Sequence, residues 1–153
     1  MQRHFTATVY IIKSGKVLLL QHPKLHKWLP PGGHVEENET PPECARREAL
    51  EETGLEIELI QQENIWVNCW NAMSIERPYL CLLENIPPHG NHPAHQHIDM
   101  IYLGRPIGGQ ELPEEVAQGK LRWFAQEQVA ALRTDEEIFG ETQQTIAHIL
   151  QVH

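Results

Sequence analysis

Residues 32–55 read GGHVEENETPPECARREALEETGL and join a glycine pair, an acidic loop and a glutamate-rich segment. Thr40 and Glu43 have the spacing of a capping box, in which each side chain hydrogen-bonds to the backbone of the other residue. Pro41 suits the first helical position, where its missing N–H is harmless. A glycine directly after Thr53 is a typical C-terminal stop. The segment therefore predicts a helix from Pro41 to Thr53.

Three glutamates of this helix are spaced three and four residues apart and share one face: Glu48, Glu51 and Glu52. At an effective dielectric constant of about 20, two carboxylates about 6 Å apart repel by roughly 3 kcal/mol, which a divalent cation would remove. Oxygen ligands suit Mg²⁺ or Mn²⁺, and Gly32-Gly33 lets the backbone approach a ligand closely. A solvated acidic helix face is also common, so the glutamates alone leave both interpretations open.

Arg47 is the basic residue within this acidic face. At helical spacing its guanidinium can pair with Glu43 or Glu51 and hold carboxylates in place.

The segment resembles the box of the Nudix family, Gly-x5-Glu-x7-Arg-Glu-U-x-Glu-Glu-x-Gly-U, where U is a bulky aliphatic residue. The matching residues are Gly33, Glu39, Arg47, Glu48, Glu51, Glu52, Gly54 and Leu55. Ala49 stands at the first U position; it is apolar, so this departure concerns packing and not catalysis. The stretch WLPPGGHVE, residues 28–36, resembles the family's common entry into the box.

The resemblance implies a single domain over residues 1–153 with an α/β/α sandwich and a mixed β-sheet between helices. It implies hydrolysis of a pyrophosphate bond in a nucleoside diphosphate linked to another group, as in a nucleoside triphosphate or ADP-ribose. The implied catalytic residues are Arg47, Glu48, Glu51 and Glu52, and the implied Mg²⁺ or Mn²⁺ ligands are Gly33, Glu48, Glu51 and Glu52. Glu48 is either a further ligand or the base that activates water, while Glu39 and Arg47 orient the loop and the helix.

Two alternatives stay open on the same scaffold. One is a catalytically idle domain that senses a nucleotide or ADP-ribose, and the other is an isomerase. The intact glutamates favour the hydrolase. Asn71 stands where some subgroups carry Pro or Tyr, so the subgroup and the substrate are not assigned.

Outside the box, alternating and apolar runs predict further strands and helices. Strands are predicted at residues 5–12, 17–21, 33–35, 56–65, 66–70, 79–84, 97–103 and 121–124. Helices are predicted at 126–132 and from a second capping box at Thr134 and Glu137 to the C-terminus, and loops at 86–93 and 104–119. Since many strands are adjacent hairpins and helices interrupt them, the sheet is expected to be mixed and covered on both faces.

A second group of candidate residues lies outside the box: His89, His92, His95, His97 and Asp99. His97 and Asp99 share one face of a predicted strand. The group can be a zinc site, a substrate pocket whose histidines contact phosphate or sugar, or a plain surface. Three residues of the first strand are further candidates for substrate contact: Arg3, His4 and Thr6.

Other residues have weaker patterns. Glu111, Glu114 and Glu115 lie in the predicted loop over residues 104–119. One of these carboxylates can join catalysis, or the three form a charged surface loop. Trp66 and Trp70 can stack on a base, although large aromatic side chains more often serve packing.

The composition restricts the partners. The 153 residues include 12 basic and 21 acidic ones, for a net charge of −9, which argues against broad nucleic-acid binding. No apolar run is long enough for a membrane span. Three scattered cysteines without a CxxC motif favour a reducing, cytoplasmic location. We expect a small nucleotide-type substrate, no nucleic-acid or membrane partner, and leave a homodimer open.

Overall fold

The predicted central helix is α1 (Pro41–Thr53) in the computed structural model, which describes residues 1–153. Thr40 is its N-cap, and the hydroxyl oxygen of Thr40 accepts a hydrogen bond from the backbone N–H of Glu43. Gly54 ends the helix with a left-handed φ of 84°. Both helix ends predicted from the sequence are confirmed.

Ten strands and three further helices complete the fold. The strands are β1 (Arg3–Lys13), β2 (Lys16–Gln21), β3 (Trp28–Leu29), β4 (Gly32–His34), β5 (Leu55–Leu59), β6 (Asn68–Cys69), β7 (Ala72–Met73), β8 (Leu80–Ile86), β9 (His95–Gly109) and β10 (Leu121–Ala125). The helices are α2 (Pro113–Ala117), α3 (Gln126–Ala130) and α4 (Gly140–Val152). None of the helices is both long enough and apolar enough to span a membrane.

One sheet contains eight of the strands, with the order β10-β2-β1-β9-β5, while β3 pairs with β2, β4 with β1, and β8 with β9. β6 and β7 form a separate hairpin. β1 and β9 are parallel and every other pair is antiparallel. The predicted mixed sheet is therefore confirmed.

The sheet is covered on both faces because successive residues of β1 point to opposite sides. One core cluster includes Ala7, Val9 and Ile11 of β1 with Cys44, Ala45 and Ala49 of α1. The other includes Tyr10 of β1 with Val129 of α3 and Ile146 and Ile149 of α4. Small residues on α1 allow its close approach to the sheet, and the α/β/α sandwich is confirmed.

The prediction of a loop over residues 104–119 is wrong. β9 continues to Gly109 because its second half pairs with β5, and α2 follows within the same range. The predicted strands over residues 56–70 are also wrong in part. β5 ends at Leu59, and the only later strand in that range is the two-residue β6.

The predicted helix start at Thr134 is wrong. Asp135 has a positive φ of 63°, and α4 begins at Gly140 with Phe139 as a cap that makes no side-chain hydrogen bond. Instead of capping a helix, the carboxylate of Glu137 accepts a hydrogen bond from the backbone N–H of Arg133 at 2.9 Å. A local turn therefore uses the residues whose spacing imitates a capping box.

Candidate active site

The glutamate face of α1 lies directly against β4. The backbone N–H of Gly32 donates to Oε1 of Glu52 at 2.8 Å. A Cβ atom at Gly33 would lie only 2.5 Å from Oε1 of Glu48. The glycine pair is thus required because any side chain at residue 33 would occupy the space of the Glu48 carboxylate.

Arg47 joins the acidic residues of the box. Its Nε and Nη2 donate to the two carboxylate oxygens of Glu39 at 2.7 and 3.0 Å. Its Nη1 donates to Glu48 at 2.9 Å and to Glu51 at 3.2 Å. The predicted pairing with Glu51 is therefore present, whereas the alternative pairing with Glu43 is wrong because Glu43 completes the capping box.

The ionisation of these groups follows from their surroundings. Hydrogen bonds from Arg47 lower the pKa of Glu39 to about 2. Burial raises the pKa of Glu52 to about 7, and the negative charges of Glu48 and Glu51 add to this effect, although the Gly32 N–H opposes it. A nearby cation would favour the ionised form of Glu52.

The residues present fit a hard divalent cation. The carboxylates of Glu48, Glu51 and Glu52 and the Gly33 carbonyl form an all-oxygen donor set, as Mg²⁺ and Mn²⁺ prefer. Glu48 is 16% exposed and Glu51 is 58% exposed, so the set extends from the interior to the rim. The Cys44 thiol lies 3.6 Å from the Gly33 carbonyl oxygen, and because a carbonyl oxygen has two lone pairs it can also take part in a metal site.

A cavity of about 640 Å³ begins at the same glycine strand and extends between the sheet and α4. Its polar lining comes from β1, β4, β8, β9 and α4, and includes Thr6, Thr8, Gly32, Gly33, His34, Glu84, His97, Asp99 and Glu141. His97 and Asp99, which the sequence predicts as substrate contacts, therefore lie in one pocket with the glycines of the box.

The inner wall of this pocket is acidic. Asp99 is buried and accepts hydrogen bonds from the hydroxyls of Thr6 at 3.0 Å and Thr8 at 2.9 Å. Burial, with the Asp99 carboxylate beside it, raises the pKa of Glu84 to about 9. Burial also raises the pKa of Glu141. At neutral pH, Glu84 therefore holds a proton.

The histidines predicted as one group are divided by the structure. His95 and His97 lie close together, with 3.2 Å between their Nε2 atoms. His89 and His92 instead hydrogen-bond to each other through their backbones in the exposed loop before β9.

Arg3 is not among the residues that line the pocket. Its Nε donates to Gln96 at 2.8 Å on the surface. Trp66 and Trp70 are also absent from the pocket lining, and Trp70 is 98% exposed. The structure thus gives none of these three side chains a contact with the box.

The acidic residues after β9 lie elsewhere as well. Glu111 accepts a hydrogen bond from the indole N–H of Trp123 at 2.8 Å and lines a different cavity of about 720 Å³. Glu114 and Glu115 lie in the first turn of α2 and are not among the residues that line the pocket at the glycine pair.

The polar pocket residues that sequence reasoning missed include Thr8, His34, Glu84 and Glu141. Because side chains alternate along β1, Thr8 lies on the same face as Thr6, and the sequence could have predicted Thr8 from this pattern. Glu84 could not be found in this way because it reaches the pocket through the pairing of β8 with β9, where it lies opposite His97.

The fold and the glutamate helix together define a Nudix domain. The sequence model of the NUDIX domain matches residues 2–142, and the chain belongs to the Nudix family. The crystal structure of a NUDIX-family hydrolase from Clostridium perfringens is similar, with a TM-score of 0.76 and 28% identity over 99% of both chains.

Two more distant similarities agree with this family. The structure of a MutT NUDIX hydrolase from Burkholderia pseudomallei has a TM-score of 0.58 and 22% identity, over 95% of this chain and 97% of that chain, which shows the fold alone. The RNA pyrophosphohydrolase of Bartonella henselae is 50% identical over 42 residues. That match covers 27% of this chain and 24% of the relative, or about a quarter of each protein.

Proposed function

We propose that the protein is a divalent-metal-dependent hydrolase of a pyrophosphate bond in a nucleoside diphosphate linked to another group. The main support is the Glu48–Glu52 face of α1, which lies against Gly32-Gly33, and these glycines also line a cavity of about 640 Å³, large enough for a nucleotide. Family membership and the hydrolase names of similar proteins agree with this proposal.

In the proposed reaction, Glu48, Glu51, Glu52 and the Gly33 carbonyl would hold Mg²⁺ or Mn²⁺, which would supply positive charge against the charge that develops on the phosphate oxygens. Water attacks phosphorus in line, so that a new O–P bond forms while the bridging P–O bond breaks and the other phosphorylated half of the substrate leaves. A glutamate of the face takes the proton from water, and Arg47 keeps the carboxylates in place.

The charges of the pocket suggest the orientation of the substrate. Asp99 and the protonated Glu84 lie in the inner wall, where a phosphate anion would be repelled. Hydrogen-bond donors of a base or sugar suit the Asp99 carboxylate. We therefore place the base or sugar at Asp99 and the pyrophosphate at α1, which fits a nucleoside triphosphate, ADP-ribose or a related compound.

We also propose a cytoplasmic location. Cys44, Cys69 and Cys81 are all free, as expected for thiols in a reducing compartment.

The test is the substitution Glu52→Gln. We expect turnover at saturating Mg²⁺ to fall by at least about 100-fold, since the variant loses a carboxylate needed for the metal or the proton. A panel of nucleoside triphosphates, ADP-ribose, nucleotide sugars and dinucleoside polyphosphates, with the phosphorylated products separated by chromatography, identifies a substrate first. Glu63→Gln is the matched control because Glu63 is exposed and lies outside the pocket lining.

Turnover of Glu52→Gln equal to that of Glu63→Gln, with both variants folded, would contradict the proposal. If the wild type binds one compound tightly and hydrolyses none of the panel, the idle sensor is the better explanation.

A further inference from the structure

Four histidines from three neighbouring strands meet at one end of the sheet: His4 of β1, His34 of β4, and His95 and His97 of β9. His4 lies opposite His97 in the parallel β1–β9 pair, and Thr6 lies opposite His34 in the antiparallel β1–β4 pair. Because residues two apart share a face of a strand, all four side chains lie on the pocket face of the sheet.

The ring nitrogens are close enough for a shared ion. One ligand nitrogen each from His4, His34 and His97 lies within 4.8 Å of the other two. A tetrahedral zinc with Zn–N bonds of about 2.0–2.1 Å places its nitrogen ligands about 3.3 Å apart. The Nε2 atoms of His95 and His97 are already 3.2 Å apart. The nitrogens of His4, His34 and His97 would therefore have to approach one another by at most about 1.5 Å to surround one ion.

Two further observations favour a bound metal ion over a histidine cluster that holds none. Nδ1 of His4 is buried and has no hydrogen-bond partner, and such an atom is rare in a folded protein without a bound ion or water. Nδ1 of His95 lies 3.1 Å from the Pro93 carbonyl. That N–H donates to the carbonyl, which leaves the lone pair of Nε2 directed at His97.

The surroundings are also suited to a cation. The buried carboxylate of Asp99 follows His97 by two residues on the same face of β9, a carboxyl oxygen of Glu84 lies 3.9 Å from Nδ1 of His97, and no Lys or Arg side chain lines this pocket. Metal-bound histidines commonly have a carboxylate or carbonyl near their second nitrogen.

We propose that His4, His34 and His97, with His95 as the fourth nitrogen donor, bind Zn²⁺ at a site separate from the glutamate face of α1. Nitrogen ligands favour zinc, whereas Mg²⁺ prefers the oxygen ligands of the box. Since His34 and His97 also line the 640 Å³ cavity, a zinc ion here adds positive charge to an acidic pocket wall.

The experiment is a titration of the tag-free, chelator-treated protein with Zn²⁺ in excess Mg²⁺, which occupies the glutamate face. We expect one zinc per chain and an affinity at least about 10-fold lower in His4→Gln and in His34→Gln. His89→Gln and His92→Gln are matched controls because both residues lie in the exposed loop, and these variants should bind as the wild type does. Circular dichroism shows whether each variant is folded. If His4→Gln or His34→Gln is not folded, His95→Gln is titrated in its place.

Co²⁺ provides a second measurement that does not depend on turnover. The wild type should give the visible absorption of cobalt with nitrogen ligands in a tetrahedral arrangement, and His4→Gln should lose it. The inference is overturned if no zinc binds, if binding survives in the folded His4→Gln and His34→Gln variants, or if it is lost only in Glu52→Gln. The last result would assign zinc to the glutamate face. None of these outcomes depends on the proposed hydrolysis.

Discussion

Two acidic groups lie on opposite faces of one sheet and balance their charge in different ways. On the α1 side, the Arg47 guanidinium donates to Glu39, Glu48 and Glu51. In the pocket on the α4 side, Glu84 and Asp99 have no Lys or Arg partner among the lining residues, and Glu84 holds a proton instead.

The difference separates two chemical tasks. A guanidinium stays charged and keeps its carboxylates ionised, so the α1 face keeps the negative charge that the proposed divalent cation would need. A protonated pair carries less charge and offers both a donor and an acceptor, which suits the neutral part of a substrate. Under the proposed function, carboxyl groups of the same kind would therefore serve pyrophosphate chemistry on one face of the sheet and hydrogen bonding on the other.

The largest effect is expected from Arg47→Met, which removes the cation from the α1 face. The carboxylates of Glu39 and Glu48 lose their partner, so we expect a loss of about 1–3 kcal/mol in the free energy of unfolding and about 100-fold in turnover. Arg46→Met is the control, since Arg46 pairs only with the partly exposed Glu76 and should lose less than about 1 kcal/mol. Urea denaturation measures the free energy of unfolding, and the rate of product formation measures turnover. Equal losses in Arg47→Met and Arg46→Met would contradict a special role of Arg47.

A smaller loss is expected from Gly33→Ala. The added methyl group lies 2.5 Å from the Glu48 carboxylate and must displace it, so turnover should fall by about 10- to 100-fold. In the control Gly108→Ala, the methyl group lies 3.0 Å from a carboxylate oxygen of the exposed Glu56, outside the site. A Gly33→Ala enzyme as active as Gly108→Ala would show that the position of Glu48 is not critical.

On the pocket side, Asp99→Asn should affect binding more than chemistry. Losing a charged hydrogen-bond acceptor is expected to raise KM by about 10-fold while kcat changes little. Steady-state kinetics separates the two parameters, with Glu56→Gln as an exposed control. A fall in kcat with unchanged KM would place Asp99 in the chemical step.

The last substitution, Glu84→Gln, is expected to change the pH dependence of the free energy of unfolding. The folded-state pKa of about 9 lies above the unfolded value near 4.5, so folding takes up a proton between these pH values. Wild-type stability from this group is therefore lost as pH rises through that window. The variant cannot ionise, so it should match the wild type near pH 4 and be more stable by at least about 1 kcal/mol at pH 9. Urea denaturation in EDTA tests this, and a difference that is constant with pH would contradict it.

The parts of the fold that the sequence predicted well depend on neighbouring residues. The Thr40–Glu43 capping box and the following helical spacing involve residues within a few turns, and α1 has the predicted ends. The same kind of signal failed at Thr134, where a local turn competes for the residues. The long β9 was missed because its second half is held by β5, a strand that precedes it by about 50 residues.

Local spacing along one helix was sufficient to predict the shared face of Glu48, Glu51 and Glu52, because residues three and four apart must meet on any α-helix. The Nudix family was predicted from the resemblance of residues 33–55 to the family's box. The partners across the sheet required the folded chain. His4 meets His97, and Thr6 meets Asp99, through strand pairing over 93 residues. Register between distant strands is decided by the packing of the whole core, and no local pattern encodes it.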